Sequence, residues 1–225
     1  MTVKRIACLG DSNTYGFDPL GKSEKRYPPD SRWPEILAEK TGWTVFNLGG
    51  NGWEIPIPAA KKSGTLTIKH AVTLIEETLP LDLLVIMLGS NDILDSINWV
   101  CFRDALSVND AVAGAASRIY RSMSRFLDEL ETVFPGLPIL LVSPPKLFML
   151  AYHLDVVFRL RNLFERLGEK HGLFFAPACD WNIPLCPYPD NVHFTAEGHK
   201  LFAAKLQEII EKLECYNRES GDHET

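Results

Sequence analysis

A serine hydroxyl at the end of a strand-like run is the group in this chain best placed to do chemistry. The stretch from Ile6 to Leu9 is apolar and breaks abruptly into Gly10-Asp11-Ser12-Asn13-Thr14. Such a strand end lies at the carboxyl edge of a sheet, where open α/β folds put their reacting groups. Gly-Asp-Ser is also an ordinary turn composition. The run gains weight from three further segments: Asn47-Leu48-Gly49-Gly50-Asn51-Gly52, Leu88-Gly89-Ser90-Asn91-Asp92 and Asp190-Asn191-Val192-His193. Together the four supply a nucleophile, hydrogen-bond donors for an oxyanion and an Asp–His pair.

A serine hydroxyl is a poor nucleophile until a base takes its proton. His193 is the best-placed base, because Asp190 precedes it by three residues. At that spacing in a turn, a carboxylate can accept from Nδ1–H and leave Nε2 free for Ser12. The expected catalytic set is Ser12, Asp190 and His193. No Gly-x-Ser-x-Gly elbow surrounds Ser12, which sets the chain apart from the α/β-hydrolases that share the order Ser, Asp, His. His199 is the rival base, but its place on the expected last helix suits packing or capping better. His70, His153 and His171 have no comparable pattern around them. His193 and His199 lack a third ligand at usable spacing, so no metal and no other cofactor is expected.

In this order the four segments resemble the four blocks of the SGNH hydrolases, also called GDSL-type esterases and lipases. The first block, from Gly10 through Tyr15-Gly16-Phe17 to Pro19, is most similar to the arylesterase-like branch, and the resemblance extends to His199. Asn13 stands where the family name has Leu, a departure beside the nucleophile that is expected to matter little. The resemblance implies a three-layer α/β/α, flavodoxin-like SGNH hydrolase fold. It also implies a serine ester hydrolase that acts through an acyl-enzyme on small to medium acyl or aryl esters. Carbohydrate O-acetyl esters and thioesters are the alternatives on the same fold. The oxyanion hole it implies is built from the Ser12 N–H, the Gly52 N–H and the Asn91 side-chain amide, and such donors lower a barrier by about 3 kcal/mol each. Glycine at position 52 would let the backbone approach a substrate closely, although Gly49 and Gly50 compete for that alignment. Asn91 also reads as a turn asparagine. Asp11 and Asp92 are expected to hold turns rather than to act as acids.

The candidate substrate-binding walls are Tyr15, Phe17, Trp53, Trp99 and Trp181, with Ile55, Phe102 and Ile183 beside them. Residues 93–106 and 148–153 could form a lid or an acyl wall. The expected partner is a small-molecule ester. An exposed aromatic loop could equally serve a homo-oligomer contact. A non-catalytic α/β ligand-binding module is the competing class; the chain carries neither Gly-x-Gly-x-x-Gly nor Gly-x-x-x-x-Gly-Lys-[Ser/Thr].

Positioning these residues requires alternating strands and helices. Continuous apolar runs predict buried strands at 5–9, 44–48, 83–88 and 139–143, with a weaker one at 173–176. Helical spacing predicts helices at 32–40, 67–79, about 109–133, about 154–168 and about 195–213. This alternation predicts a mainly parallel five-stranded sheet with helices on both faces. One domain is expected over 1–213, followed by a polar, frayed tail at 214–225.

Composition narrows the partners. The chain has 225 residues and a net charge of -6, which argues against nucleic acid or an anionic membrane as the main partner. No stretch reaches the roughly 18 to 20 apolar residues of a membrane span. The apolar run behind Lys4 and Arg5 is too short for a signal peptide, so a cytoplasmic location is expected. Cys8, Cys101, Cys179, Cys186 and Cys215 are scattered and odd in number, which suits free thiols better than a disulfide framework.

Overall fold

The computed structural model describes residues 4–21, 25–60, 64–101, 108–147 and 154–221, with backbone alone at 97–101, 108–112, 154–156 and 214–221. Its strands are β1 (Arg5–Gly10), β2 (Thr44–Gly49), β3 (Leu83–Met87), β4 (Ile139–Val142) and β5 (Phe174–Ala176). They form one parallel sheet of order β2-β1-β3-β4-β5. Successive side chains of a strand point to opposite faces, and both faces are apolar. Ala7, Leu9, Leu84 and Ile86 face one core; Ile6, Cys8, Leu83 and Val85 face the other.

Each face is covered by helices with an apolar stripe. On the first lie α3 (Ile68–Glu76), α5 (Val108–Val133) and α6 (Leu154–His171). Ala115, Ile119, Met123, Phe126, Leu127 and Leu130 of α5 recur at helical spacing and are all buried. On the second face lie α2 (Trp33–Thr41) and α7 (Ala196–Gly221). Trp33 of α2 packs on Phe202 of α7 with ring centroids 4.9 Å apart. Each fully buried large side chain of this kind contributes roughly 1.5–3 kcal/mol relative to exposure.

Strand order reverses at β1: the chain passes first to β2 on one side and then to β3 on the other. In an open parallel sheet this switch point opens a crevice at the carboxyl ends of the strands. The segments after β1, β2 and β3 meet there.

The helices differ most from the sequence expectation in three places. Ser12–Tyr15 forms a one-turn helix, α1, where a loop was expected. Ser90–Cys101 forms α4, so Asn91 stands in a first helical turn rather than in a loop. The segment Ser90-Asn91-Asp92 favours caps and turns by propensity, which hides the helical spacing of Ile93, Leu94 and Ile97. The last helix runs on to Gly221 instead of stopping near 213. Among the described residues, no helix is long and apolar enough to cross a membrane. Cys8, Cys179 and Cys186 are buried free thiols.

Candidate active site

The turn after β1 is held by Asp11. Its carboxylate accepts from the Asn13 N–H at 2.9 Å, and its carbonyl accepts from Thr14 and Tyr15 at 3.0 and 2.9 Å. Ser12 therefore opens α1, at a position whose backbone N–H has no partner within the helix. Asp11 is fully buried, and burial raises its carboxyl above the usual range, opposed by the Asn13 N–H and by the nearby Ser90 hydroxyl.

The Ser12 Oγ lies 3.0 Å from the His193 Nε2, and the His193 Nδ1 lies 2.7 Å from the Asp190 Oδ2. The Asp190 Oδ1 also accepts from the Val192 and His193 N–H groups, at 3.0 and 2.7 Å. One carboxylate thus shapes the turn and orients the ring, a local bonding pattern to which Asp is suited. Burial pushes Asp190 upward, but the backbone and ring hydrogen bonds from His193 and the Val192 N–H outweigh it, leaving its carboxyl below the ordinary value. The turn is anchored to the preceding loop by Cys186 N–H to the His193 carbonyl at 2.7 Å and Thr195 N–H to the Pro184 carbonyl at 3.1 Å.

His199 is not part of this arrangement. It is fully buried, its Nδ1 accepts from the Trp33 N–H at 3.4 Å, and its ring meets those of Tyr27 and Phe194 edge-on. Burial, with Arg32 and His193 nearby, pushes its pKa down to about 3. It remains a neutral packing residue.

The glycine-rich segment after β2 separates its three candidates by their bonds. The Gly49 N–H is taken by the Asn47 side chain at 3.0 Å, and the Gly50 N–H by the Gly10 carbonyl at 3.1 Å. A Cβ on Gly49 would collide with the backbone of Thr14 and Tyr15, so that residue is needed for close packing against α1. Gly52 is exposed, and none of the described residues accepts from its N–H. Its φ of 70° requires glycine for backbone reasons, while the space around a Cβ there is open.

Asn91 and Asp92 tie this loop down. The Asn91 Nδ2 donates to the Trp53 carbonyl at 2.8 Å, which leaves one of its two N–H bonds. The Asp92 Oδ2 accepts from the Ile55 N–H at 3.1 Å. Burial raises Asp92 to about 6, with the Ile55 bond opposing. Both Asp11 and Asp92 hold turns.

A family description of GDSL-like lipase/acylhydrolase matches residues 8–201. The chain belongs to that family. This esterase is also similar in fold to solved structures. The native M. smegmatis aryl esterase shares 25% identity at a TM-score of 0.71, over 94% of this chain and 100% of that one. A carbohydrate acetylesterase from Sinorhizobium meliloti shares 22% identity at a TM-score of 0.71, over 92% and 98%. A putative arylesterase from Agrobacterium tumefaciens shares 22% at 0.68, over 93% and 99%. Among curated protein sequences, none matches the chain. The esterase is a carboxylic ester hydrolase with the α/β architecture of these neighbours.

The aromatic residues expected as pocket walls divide. Phe17 stands against the His193 ring, centroids 4.6 Å apart. Tyr15 is covered by the Arg26 guanidinium at 4.0 Å. Trp53 is half-buried against the core and meets His70 edge-on at 5.8 Å. Trp181 is partly buried and packs on Phe202 at 5.2 Å, against the core beneath α7. Ile55 and Ile183 are core residues. The loop before Asp190 uses this ring contact to fix itself to α7. Trp99 lies on α4, but its side chain, Phe102 and residues 148–153 fall outside the described residues. A groove of ≈ 530 Å³ includes Lys146, Ile183, Leu185, Tyr188 and Asn191 among its walls, but neither Ser12 nor His193 lines it.

One residue at the site was passed over in the sequence. Asn13 is 1% exposed, its Oδ1 accepts from the Phe194 N–H at 2.8 Å, and its Nδ2 donates to the Val192 carbonyl at 3.3 Å. The available signal was an amide beside the nucleophile where the family name has Leu. A buried amide needs partners, and the sequence does not say that they lie 179 and 181 residues away.

Proposed function

We propose that the esterase hydrolyses small to medium acyl or aryl esters by a two-step acyl transfer through Ser12. The observation that carries this reading is the unbroken line Ser12 Oγ, His193 Nε2, His193 Nδ1, Asp190 Oδ2, with spacings of 3.0 and 2.7 Å. The His193 Nε2 takes the hydroxyl proton as Oγ bonds to the ester carbonyl carbon. The carbonyl oxygen becomes an oxyanion, which the Ser12 N–H, the Gly52 N–H and the free Asn91 N–H bond receive. As the ester bond breaks, His193 returns the proton to the departing alkoxide. Water then repeats the sequence on the acyl-enzyme, releasing the acid and restoring Ser12. Asp190 keeps the Nδ1–H in place and offsets the charge of the imidazolium throughout.

Phe17 beside the His193 ring supports an aromatic or apolar wall near the departing group. The similarity to an aryl esterase at 25% identity points the same way. Removal of acetyl groups from a carbohydrate is the second reading, favoured by the shared fold with a carbohydrate acetylesterase. The testing experiment is p-nitrophenyl acetate hydrolysis by wild type and Ser12→Ala side by side, followed by a series of acyl lengths and acetylated sugars. Activity that disappears with Ser12 supports the reading, and the panel then separates aryl from sugar esters. Equal activity in the two proteins overturns it.

A further inference from the structure

We propose that Asn13 is a positioning residue that keeps His193 aligned on Ser12 through both halves of the reaction. The inference rests on the esterase reading above. Its ground is a set of three contacts between two neighbouring residues, Ser12 and Asn13, and three consecutive ones, Val192 to Phe194. Ser12 meets His193 side chain to side chain at 3.0 Å. The next residue, Asn13, bonds the backbone on each side of that histidine: the Val192 carbonyl at 3.3 Å and the Phe194 N–H at 2.8 Å. The amide orientation is fixed by its partners, because a flip would set donor against donor and acceptor against acceptor. Asn13 itself is held by the bond from its N–H to the buried Asp11 carboxylate.

This arrangement matters because the Ser12–His193 bond is temporary. Once Oγ carries the acyl group it no longer offers a proton to Nε2, and the direct link between the two residues is lost. The histidine loop must then stay in place for water attack. The bonds from Asp190 orient the ring within its own turn but do not connect that turn to the nucleophile. The Asn13 amide does, and neither of its two bonds uses a reacting atom. Leucine is close to asparagine in size and has none of these donors and acceptors, so a chain with Leu at this position must fix its histidine loop by other contacts.

The test is Asn13→Leu, with Ser12→Ala as the control for the esterase reading. On p-nitrophenyl acetate, kcat of Asn13→Leu should fall about 10- to 100-fold with KM changed less than about twofold, the behaviour of a misplaced catalytic group. In a His193→Ala background, assayed at enzyme concentrations that raise the rate above uncatalysed hydrolysis, the same substitution should cost less than about twofold, because the group it aligns is gone. Thermal melting and near-ultraviolet circular dichroism report whether each protein is folded. If Asn13→Leu does not fold, Asn13→Asp keeps the acceptor for the Phe194 N–H, loses the donor to Val192, and is read in the same two backgrounds. A folded variant with wild-type kcat overturns the proposal, as does an equal loss with and without His193. Retained activity in Ser12→Ala overturns the esterase reading instead.

Discussion

Two Ser–His–Asp arrangements stand among the described residues, and their residues are alike while their surroundings are not. At the sheet edge, Ser12 meets His193 at 3.0 Å and His193 meets Asp190 at 2.7 Å. In the seam between α5 and α6, Ser124 meets His171 at 2.9 Å and His171 meets Asp128 at 3.6 Å. Judged by the serine–histidine distance alone, the second set is as good as the first.

The differences are in what else each group touches. The Asp190 side chain is 15% exposed and that of Asp128 is 66% exposed, so water screens Asp128 and little holds it against its histidine. The Lys170 ammonium donates to the Ser124 hydroxyl, tying up a lone pair that a nucleophile needs. Ser124 also lies in the interior of α5, where backbone N–H groups bond the preceding turn. Ser12 opens a helix, and its N–H is left over. Burial, with Lys170 adding to it, lowers the His171 pKa, while Asp128 opposes weakly. The second set is a satisfied polar seam between two helices. A catalytic triad requires unused donors and an open face as well as three residue types.

The largest contrast should appear in rate. Ser12→Ala and His193→Ala should each lower kcat by about 10⁴- to 10⁶-fold. Ser124→Ala and His171→Ala should stay within about twofold, and a loss of orders of magnitude at Ser124 would dissolve the distinction. Next comes the acid. Asp190→Ala should cost about 10²- to 10⁴-fold in kcat, because the histidine can still find a usable orientation part of the time. Asp128→Ala, measured in the same ester assay, should leave the rate unchanged.

Stability should reverse the ranking. Ser124 is buried, and Ser124→Ala leaves the His171 Nε2 and the Lys170 ammonium without their partner. Urea denaturation should show a loss of about 1–2 kcal/mol. Ser12→Ala should shift stability by less than about 0.5 kcal/mol, or raise it, the behaviour expected if the proposed function of that site is right. Overlapping denaturation curves for the two variants would contradict this.

The smallest effect is on the pH dependence of stability. His171 is held below its ordinary value of 6.5, so the unfolded chain binds the proton first. Stability from this group is complete above pH 6.5 and is lost as the pH falls toward the folded value. His171→Gln should flatten that part of the wild-type curve; the buried His199 supplies a parallel slope that stays in the variant. Asp190, held low, acts in a different window: its contribution is present above 3.8 and is lost as the pH falls through its folded value. A His171→Gln stability curve parallel to wild type from about pH 7 to about pH 5 would remove the histidine from this account.

Much of the fold was legible because buried parallel strands are written as uninterrupted apolar runs. All five strands and their alternation with helices could be read from hydrophobic pattern. Helix α4 was not, because its opening residues are turn formers by local preference and become helical only where β3 delivers them. Ser12, Asn91, Asp190 and His193 were visible as residue types at meaningful spacings. Asn13 was visible only as a departure from a motif, and the contact of Trp181 with Phe202 was not visible, because an aromatic in a loop looks the same whether it meets a ligand or a helix.

The order of residues along the chain determined whatever depends on neighbours. It set the strand ends, the Asp11 turn, and the three-residue reach from Asp190 to His193 that lets one carboxylate bond both backbone and ring. Tertiary structure alone decided which glycine keeps an unused N–H, which asparagine amide bridges to a loop 179 residues away, and which of two Ser–His–Asp sets faces the crevice. Those outcomes depend on which donors and acceptors have already found partners. Pairing across the fold is settled only when distant segments compete for the same groups in the same space.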